Sequence, residues 1–193
     1  MTDRFTQVVS TLGPKLATEF GLTPEQNAGF WGNFARETGN FRYYQEIGSG
    51  SSSGGRSLAQ WTGPRRIAFL GYCKAHKLDP KSDEAGYGYL CVELHGTYKN
   101  VITAVKRCST VDAATRTVER LYEAAGVKAI GERVALARKA LAILHPGHPA
   151  SVAPAPKKSA APMAKKAKPK PKVAAVKKRT APVAHTLHHA KHR

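Results

Sequence analysis

The segment Gly32-Asn33-Phe34-Ala35-Arg36-Glu37-Thr38-Gly39 puts one carboxyl, Glu37, in the last turn of a predicted helix. Phe34 lies about a turn before it, and Phe41 follows just past the helix end. Apolar neighbours disfavour a charged carboxylate, and so does the negative end of a helix dipole. A carboxyl kept in its protonated form near neutral pH is what a general acid requires. The plainer reading, a solvated glutamate at a helix end, stays open on position alone. Other chemistries have less to work with. His76 and His95 stand apart from any Asp or Glu at metal-ligand spacing, so no metal is expected. No serine sits in a nucleophile-elbow context. The Gly/Ser run from Gly48 to Gly55 lacks the strand–helix setting of a phosphate-binding loop, so no nucleotide site or cofactor is expected. Cys73, Cys91 and Cys108 form no Cys-x-x-Cys pair and are expected to be buried free thiols.

Glu37 needs a scaffold, and the first 144 residues read as a succession of helices. Phe5, Val8, Val9, Leu12 and Leu16 recur at helical spacing, with Gly13-Pro14 an expected break. Thr23-Pro24-Glu25-Gln26 has the form of a capping box with proline at the first helical position. The helix that starts there is predicted to run to about Thr38 and to stop at Gly39-Asn40. Tyr43, Tyr44 and Ile47, the Gly/Ser run, and Leu58-Ala59-Gln60-Trp61 suggest two short extended runs around a loop, a β-hairpin or an ordered loop. Helical patterns resume over 65–76, 83–96 and 98–107. Ser109-Thr110-Val111-Asp112 is a second capping-box signature, followed by a stripe of Val111, Ala114, Val118, Leu121 and Ala125. A last helix carries Val134, Ala137, Leu141 and Leu144 and ends at His145-Pro146-Gly147.

Three stretches carry a family resemblance. Gly29-Phe30-Trp31-Gly32-Asn33-Phe34-Ala35-Arg36-Glu37-Thr38-Gly39-Asn40-Phe41 resembles the G-x-x-G-N-x-x-x-E-[ST]-G-x-F segment of the phage tail lysozyme family. Leu58-Ala59-Gln60-Trp61-Thr62-Gly63-Pro64-Arg65-Arg66 is similar to that family's A-Q-W-T-G-x-R signature. Arg133-Val134-Ala135-Leu136-Ala137-Arg138-Lys139-Ala140-Leu141 resembles its closing R-x-x-x-A-R-x-A-L. The resemblance spans roughly 20–144. It implies a mainly α, lysozyme-like α+β fold, with a small β-hairpin beside the catalytic helix. It also implies hydrolysis of the β-1,4 MurNAc–GlcNAc bond of peptidoglycan, with Glu37 as the catalytic glutamate. One departure is local: before the tryptophan the chain reads Gly55-Arg56-Ser57-Leu58-Ala59-Gln60-Trp61, where the family often has G-x-G-x-A-Q-W.

A glycosidase usually flanks the scissile bond with two carboxylates. After Glu37 the next acid is Glu46, and then none comes before Asp79. Three arrangements stay open: Glu46 activates water or stabilises the oxocarbenium ion, a distant acid folds into place, or one acid works alone as in lytic transglycosylases. Gln60 and Trp61 form the expected sugar-binding pair, because an indole offers a flat apolar face and a carboxamide both donates and accepts. Core packing is the alternative for Trp61. Thr62, Tyr43 and Tyr44 are expected in the same cleft, with Tyr87 a further candidate.

The charge balance divides the chain. Of a net +18, residues 1–144 carry 19 basic and 13 acidic groups; residues 145–193 carry 12 basic and no acidic groups, with eight of the 12 prolines. The expected organisation is a hydrolase domain at 1–144 and a disordered Ala/Lys/Pro-rich tail at 145–193. Such a polycation is expected to bind anionic envelope polymers or nucleic acid in a salt-dependent way. Six of the eight histidines also lie there and would add charge below about pH 6.5. A competing reading is a catalytically silent, lysozyme-like virion or nucleic-acid-binding protein acting through that tail. No apolar run approaches the roughly 20 residues needed to span a bilayer. The first residues lack a signal-peptide core, so a virion-associated protein, or one carried to the wall by another route, is expected.

Overall fold

Asp3 begins the fold by accepting the Thr6 amide at 2.9 Å, which caps the first helix. The computed structural model describes residues 2–50, 53–123 and 129–147, all within one unit, Met1–Ala153. The expected tail lies outside the described residues from 148 onward, as does the whole of the second unit, Pro154–Arg193. Among the described residues the helices are α1 (Arg4–Phe20), α2 (Pro24–Glu37), α3 (Gly63–His76), α4 (Asp83–His95), α5 (Lys99–Val105), α6 (Val111–Val118) and α7 (Ile130–Leu144). A single π-helical turn, Glu119–Glu123, continues α6.

The helix α1 does not break at Gly13-Pro14. It runs through Pro14, which costs one backbone hydrogen bond. Burial of Phe5, Val8, Val9, Leu12, Leu16 and Phe20 on one face outweighs that loss, since each large apolar side chain contributes about 1.5–3 kcal/mol. The capping box of α2 forms as the sequence suggests: the Thr23 hydroxyl accepts the Gln26 amide, and the Gln26 carboxamide oxygen accepts the Thr23 amide at 3.0 Å. Thr110 rather than Ser109 caps α6, accepting the Ala113 amide at 3.2 Å.

The helix α2 lies at the centre. Every residue from Gln26 to Ala35 is buried, polar ones included, so the helix is covered on all sides rather than along one stripe. It packs on α1, α6 and α7. The stripe of α6 changes register at the π turn: Tyr122 is buried, Leu121 only partly, and Ala125 lies outside the described residues.

The expected β-hairpin is not formed by the described residues. Two isolated antiparallel bridges, Gln45–Arg56 and Arg56–Trp61, take its place. Strands need consecutive extended residues, whereas Asn40, Phe41, Ser57 and Gln60 adopt left-handed backbone here. The segment is an ordered loop, its chain reversed tightly between Arg56 and Trp61. The Arg56 guanidinium ties it down by donating to the Gly50 carbonyl at 2.9 Å. Cys73 is buried, and Cys91 and Cys108 are half-buried; all three are free thiols. No helix among the described residues is long and apolar enough to cross a membrane.

Candidate active site

The spacing of Gly29, Gly32, Asn33 and Glu37 has a packing reason. A Cβ at Gly29 would lie 2.8 Å from the Ala114 Cβ and 2.9 Å from backbone of α6. One at Gly32 would lie 2.4 Å from the Arg133 carbonyl and 2.6 Å from the Ala137 amide on α7. The two glycines bring α2 against both neighbours. Asn33, fully buried, then locks the crossing: its Nδ2 donates to the Thr115 carbonyl at 3.0 Å, and its Oδ1 accepts from Arg133 Nη1 at 3.2 Å. Glu37 lies one turn further along the same face, where its Oε1 receives Arg133 Nη2 at 2.5 Å. The turn that follows fixes the end of α2. Thr38 Oγ1 donates to the Phe34 carbonyl and accepts the Phe41 amide, and Gly39 through Phe41 are left-handed.

The surroundings of Glu37 are therefore not the purely apolar ones expected from Phe34 and Phe41. Its carboxyl is part-buried and paired with a guanidinium that is itself almost wholly buried. A second carboxyl stands near it. Glu123, the last residue of the π turn, has a buried Oε1 with no hydrogen-bond partner. Burial, and then the charge of Glu37, push its pKa up to about 8, against the opposing pull of Arg133 and Arg65. Glu123 is thereby biased toward its protonated form.

Behind this pair lies the second motif. Trp61 is 1% exposed, packed against Phe69 and Tyr89 with ring centroids 4.8 Å away in each case. Its indole N–H donates to Glu93 Oε2 at 2.8 Å. Arg65 grips Glu93 through Nε and Nη2 at 2.8 and 2.7 Å, a bidentate pair. The same guanidinium stacks over Tyr98 and Tyr122, 4.6 Å from each ring centre. Tyr122 donates to Glu93 at 2.5 Å, and burial raises its pKa well above the ordinary phenol value. The sugar-stacking role expected of Trp61 has no open surface here: the ring is buried against Phe69 and Tyr89, and its N–H is used by Glu93.

The other expected site residues fall in the loop beyond α2. Glu46 is exposed, and its Oε2 accepts the Gly55 amide at 2.8 Å, closing the Gly/Ser loop rather than joining the Glu37–Arg133 pair. Gln60 donates from Nε2 to the carbonyls of Tyr43 and Ser57 at 3.1 and 3.0 Å, stitching the loop together. Thr62 is exposed at the start of α3 and makes no side-chain cap. Tyr43, 47% exposed, and Tyr44, 8% exposed, line an open groove of about 350 Å³ with Arg4, Arg42, Gln45 and Lys81. The Tyr44 hydroxyl is anchored on Asp83 at 2.6 Å. Tyr87 is not among the residues lining that groove. His95 contacts Glu19 at 2.6 Å, and His76 stacks on Tyr72.

Sequence reasoning missed Glu123, Glu93 and the roles of Arg65 and Arg133. The two arginines were visible as motif positions, the first of R-x-x-x-A-R and the last of A-Q-W-T-G-x-R. Glu123 had no such mark, because a π turn has no recognisable pattern in the chain.

The glutamate at the end of a buried helix, fixed by an arginine, and a nearby carboxyl biased toward its protonated form are group types that acid–base chemistry uses. The model of the phage tail lysozyme family matches residues 15–144, and the chain belongs to that family. It is thus a lysozyme-like peptidoglycan hydrolase. No curated relative and no solved structure matches it.

Proposed function

We propose that the domain is a glycosidase that cleaves the β-1,4 MurNAc–GlcNAc bond of peptidoglycan, with Glu37 as general acid. The observation that carries this reading is the investment of the fold in that one carboxyl: two glycines, Asn33 and Arg133 all serve to fix the end of α2. Glu37 delivers a proton to the glycosidic oxygen as the C1–O bond breaks. Either water or the 6-hydroxyl of the substrate then attacks C1. The first outcome is hydrolysis and the second is transglycosylation. The groove at Tyr43 and Tyr44, in the loop that follows α2, offers an exposed aromatic ring for a sugar.

The test is digestion of purified peptidoglycan by the full-length protein and by Glu37→Gln. Loss of a general acid costs about 10²–10⁴-fold in rate. Equal muropeptide release by the two proteins removes Glu37 from the mechanism. Mass spectrometry of the products separates hydrolysis from transglycosylation, because only the latter leaves an anhydro sugar.

The protein acts, in this reading, as part of a phage or prophage tail, or is otherwise delivered to the wall. The 12 positive charges of residues 145–193 support attachment to anionic envelope polymers, with nucleic acid the alternative polyanion. A salt titration of the full chain on teichoic acid, lipid A vesicles and DNA compares them.

A further inference from the structure

The Glu37–Arg133 pair poses a chemical question. A general acid must carry a proton, yet in this structure Glu37 is matched to a guanidinium as a carboxylate would be. We propose that Glu123 is the proton holder of the site: in the free enzyme it keeps the proton that Glu37 hands to the glycosidic oxygen. This inference rests on the reading of Glu37 as the general acid.

The charge inventory of the cluster carries the argument. Three carboxyls meet two guanidiniums: Glu37 from α2, Glu93 from α4 and Glu123 from the π turn, against Arg65 from α3 and Arg133 from α7. Arg65 is committed to Glu93 by two short hydrogen bonds, and Arg133 to Glu37 and Asn33. Glu123 is left over. Its Oε1 is buried without a partner while the residue as a whole is half-buried, and an unpaired carboxyl oxygen kept from water favours the neutral form. With one proton on Glu123 the five groups sum to zero.

Position supports the same assignment. Tyr122 packs edge-on against Phe34, ring centroids 6.0 Å apart, which ties the π turn to the last turns of α2. A π-helical turn is a costly local form often found at functional sites, and here its last residue is the unpaired acid. The charge of Glu37 raises the proton affinity of Glu123.

The proton balance closes. Glu123, which makes no direct hydrogen bond to Glu37, gives its proton to the Glu37 carboxylate through an intervening solvent water, and Glu37 passes it to the leaving oxygen as C1–O breaks. Water adds its oxygen to C1, and the proton it releases returns through Glu37 to Glu123. Glu123 touches no reacting atom in this scheme; it acts through Glu37 and is a positioning residue for the proton.

The test uses ¹³C-carboxyl NMR titration of the full-length protein, with the Glu123 resonance assigned by its loss in Glu123→Gln. A Glu123 midpoint near 8 that moves downward in Glu37→Gln supports the proposal. A midpoint in the ordinary carboxylate range, or one indifferent to Glu37→Gln, overturns it. Kinetics on peptidoglycan give the second readout. Wild type should lose kcat/KM as pH rises through the Glu123 midpoint. Glu123→Gln should be at least 10-fold slower at pH 7 without that limb, and Glu123→Asp should restore it in part. A Glu123→Gln profile that superimposes on wild type, while Glu37→Gln is inactive, sinks the proton-holder role and leaves the general acid standing. An active Glu37→Gln sinks the general acid itself.

Discussion

Gly32→Ala adds one methyl group at the tightest point of the fold. The added Cβ would meet the Arg133 carbonyl at 2.4 Å, the Ala137 Cβ at 2.5 Å and the Ala137 amide at 2.6 Å. Two of those three atoms are backbone, so no side chain can swing aside and α2 must move away from α7. Overpacking of this kind costs about 1–3 kcal/mol, and contact with rigid backbone puts Gly32 at the upper end. Alanine returns about 1 kcal/mol through helix propensity. The net expectation is a destabilisation of about 2 kcal/mol, or roughly 4–8 °C in Tm for a domain of this size. Gly71→Ala is the matched control: the same change within a helix, at an exposed position with nothing within 4 Å of the added Cβ. It should gain up to about 1 kcal/mol, raising Tm by roughly 2–4 °C. Thermal unfolding by circular dichroism reads both. Because Arg133 sits at the clash, Gly32→Ala should also lose peptidoglycan-cleaving activity at temperatures where it remains folded. A Gly32→Ala protein as stable as Gly71→Ala would refute the close-packing explanation of the glycine spacing.

The Glu123 carboxyl makes stability depend on pH. Its folded value of about 8 lies above the ordinary 4.5, so between those values the folded protein holds a proton that the unfolded chain has released. Stability therefore falls as pH rises from about 4.5 to 8 and levels off above; the ceiling on the effect is about 5 kcal/mol. The difference between wild type and Glu123→Gln in urea midpoints at pH 4.5 and pH 8.5 isolates it, and no widening of that difference would contradict the burial argument. Trp61→Phe removes the indole N–H from the buried Glu93 and should cost about 1–3 kcal/mol in chemical denaturation. Its KM for peptidoglycan should stay within about twofold, because a residue 1% exposed has no face to offer a sugar. Tyr43→Ala at an exposed rim position should behave in the opposite way: Tm should stay nearly unchanged and KM should rise.

Local chemistry was legible in the sequence wherever it decided the outcome. The Thr23–Gln26 capping box, the stop at Gly39 and the helical stripes needed only their own neighbours. Pro14 misled because the penalty of a proline is local, whereas the packing that overrides it comes from α2 and α7. Of the two readings of residues 41–61, a hairpin or an ordered loop, the described residues show the loop: Phe41, Ser57 and Gln60 are left-handed, and hydrogen bonds such as the Gln60–Tyr43 link join distant loop segments. At the site, Glu37 stood out through the residue types around it. Its partners did not: Arg133 lies 96 residues away, and the aim of Glu123 depends on a π turn. Trp61 was ambiguous between sugar platform and core, and only the Glu93 carboxylate waiting for its N–H decided between them.

The 96-residue separation of Glu37 from Arg133 also bears on the order in which the protein is made. A chain emerging from the N-terminus carries its glutamate early, with Gly29 and Gly32 still facing empty space where α6 and α7 will later lie. Until residue 133 has been added, nothing fixes the carboxyl. An interrupted or clipped chain that ends before residue 133 therefore holds Glu37, the proposed general acid, without the guanidinium that fixes it. If Glu37 is the acid, such a fragment should be inert against the cell wall.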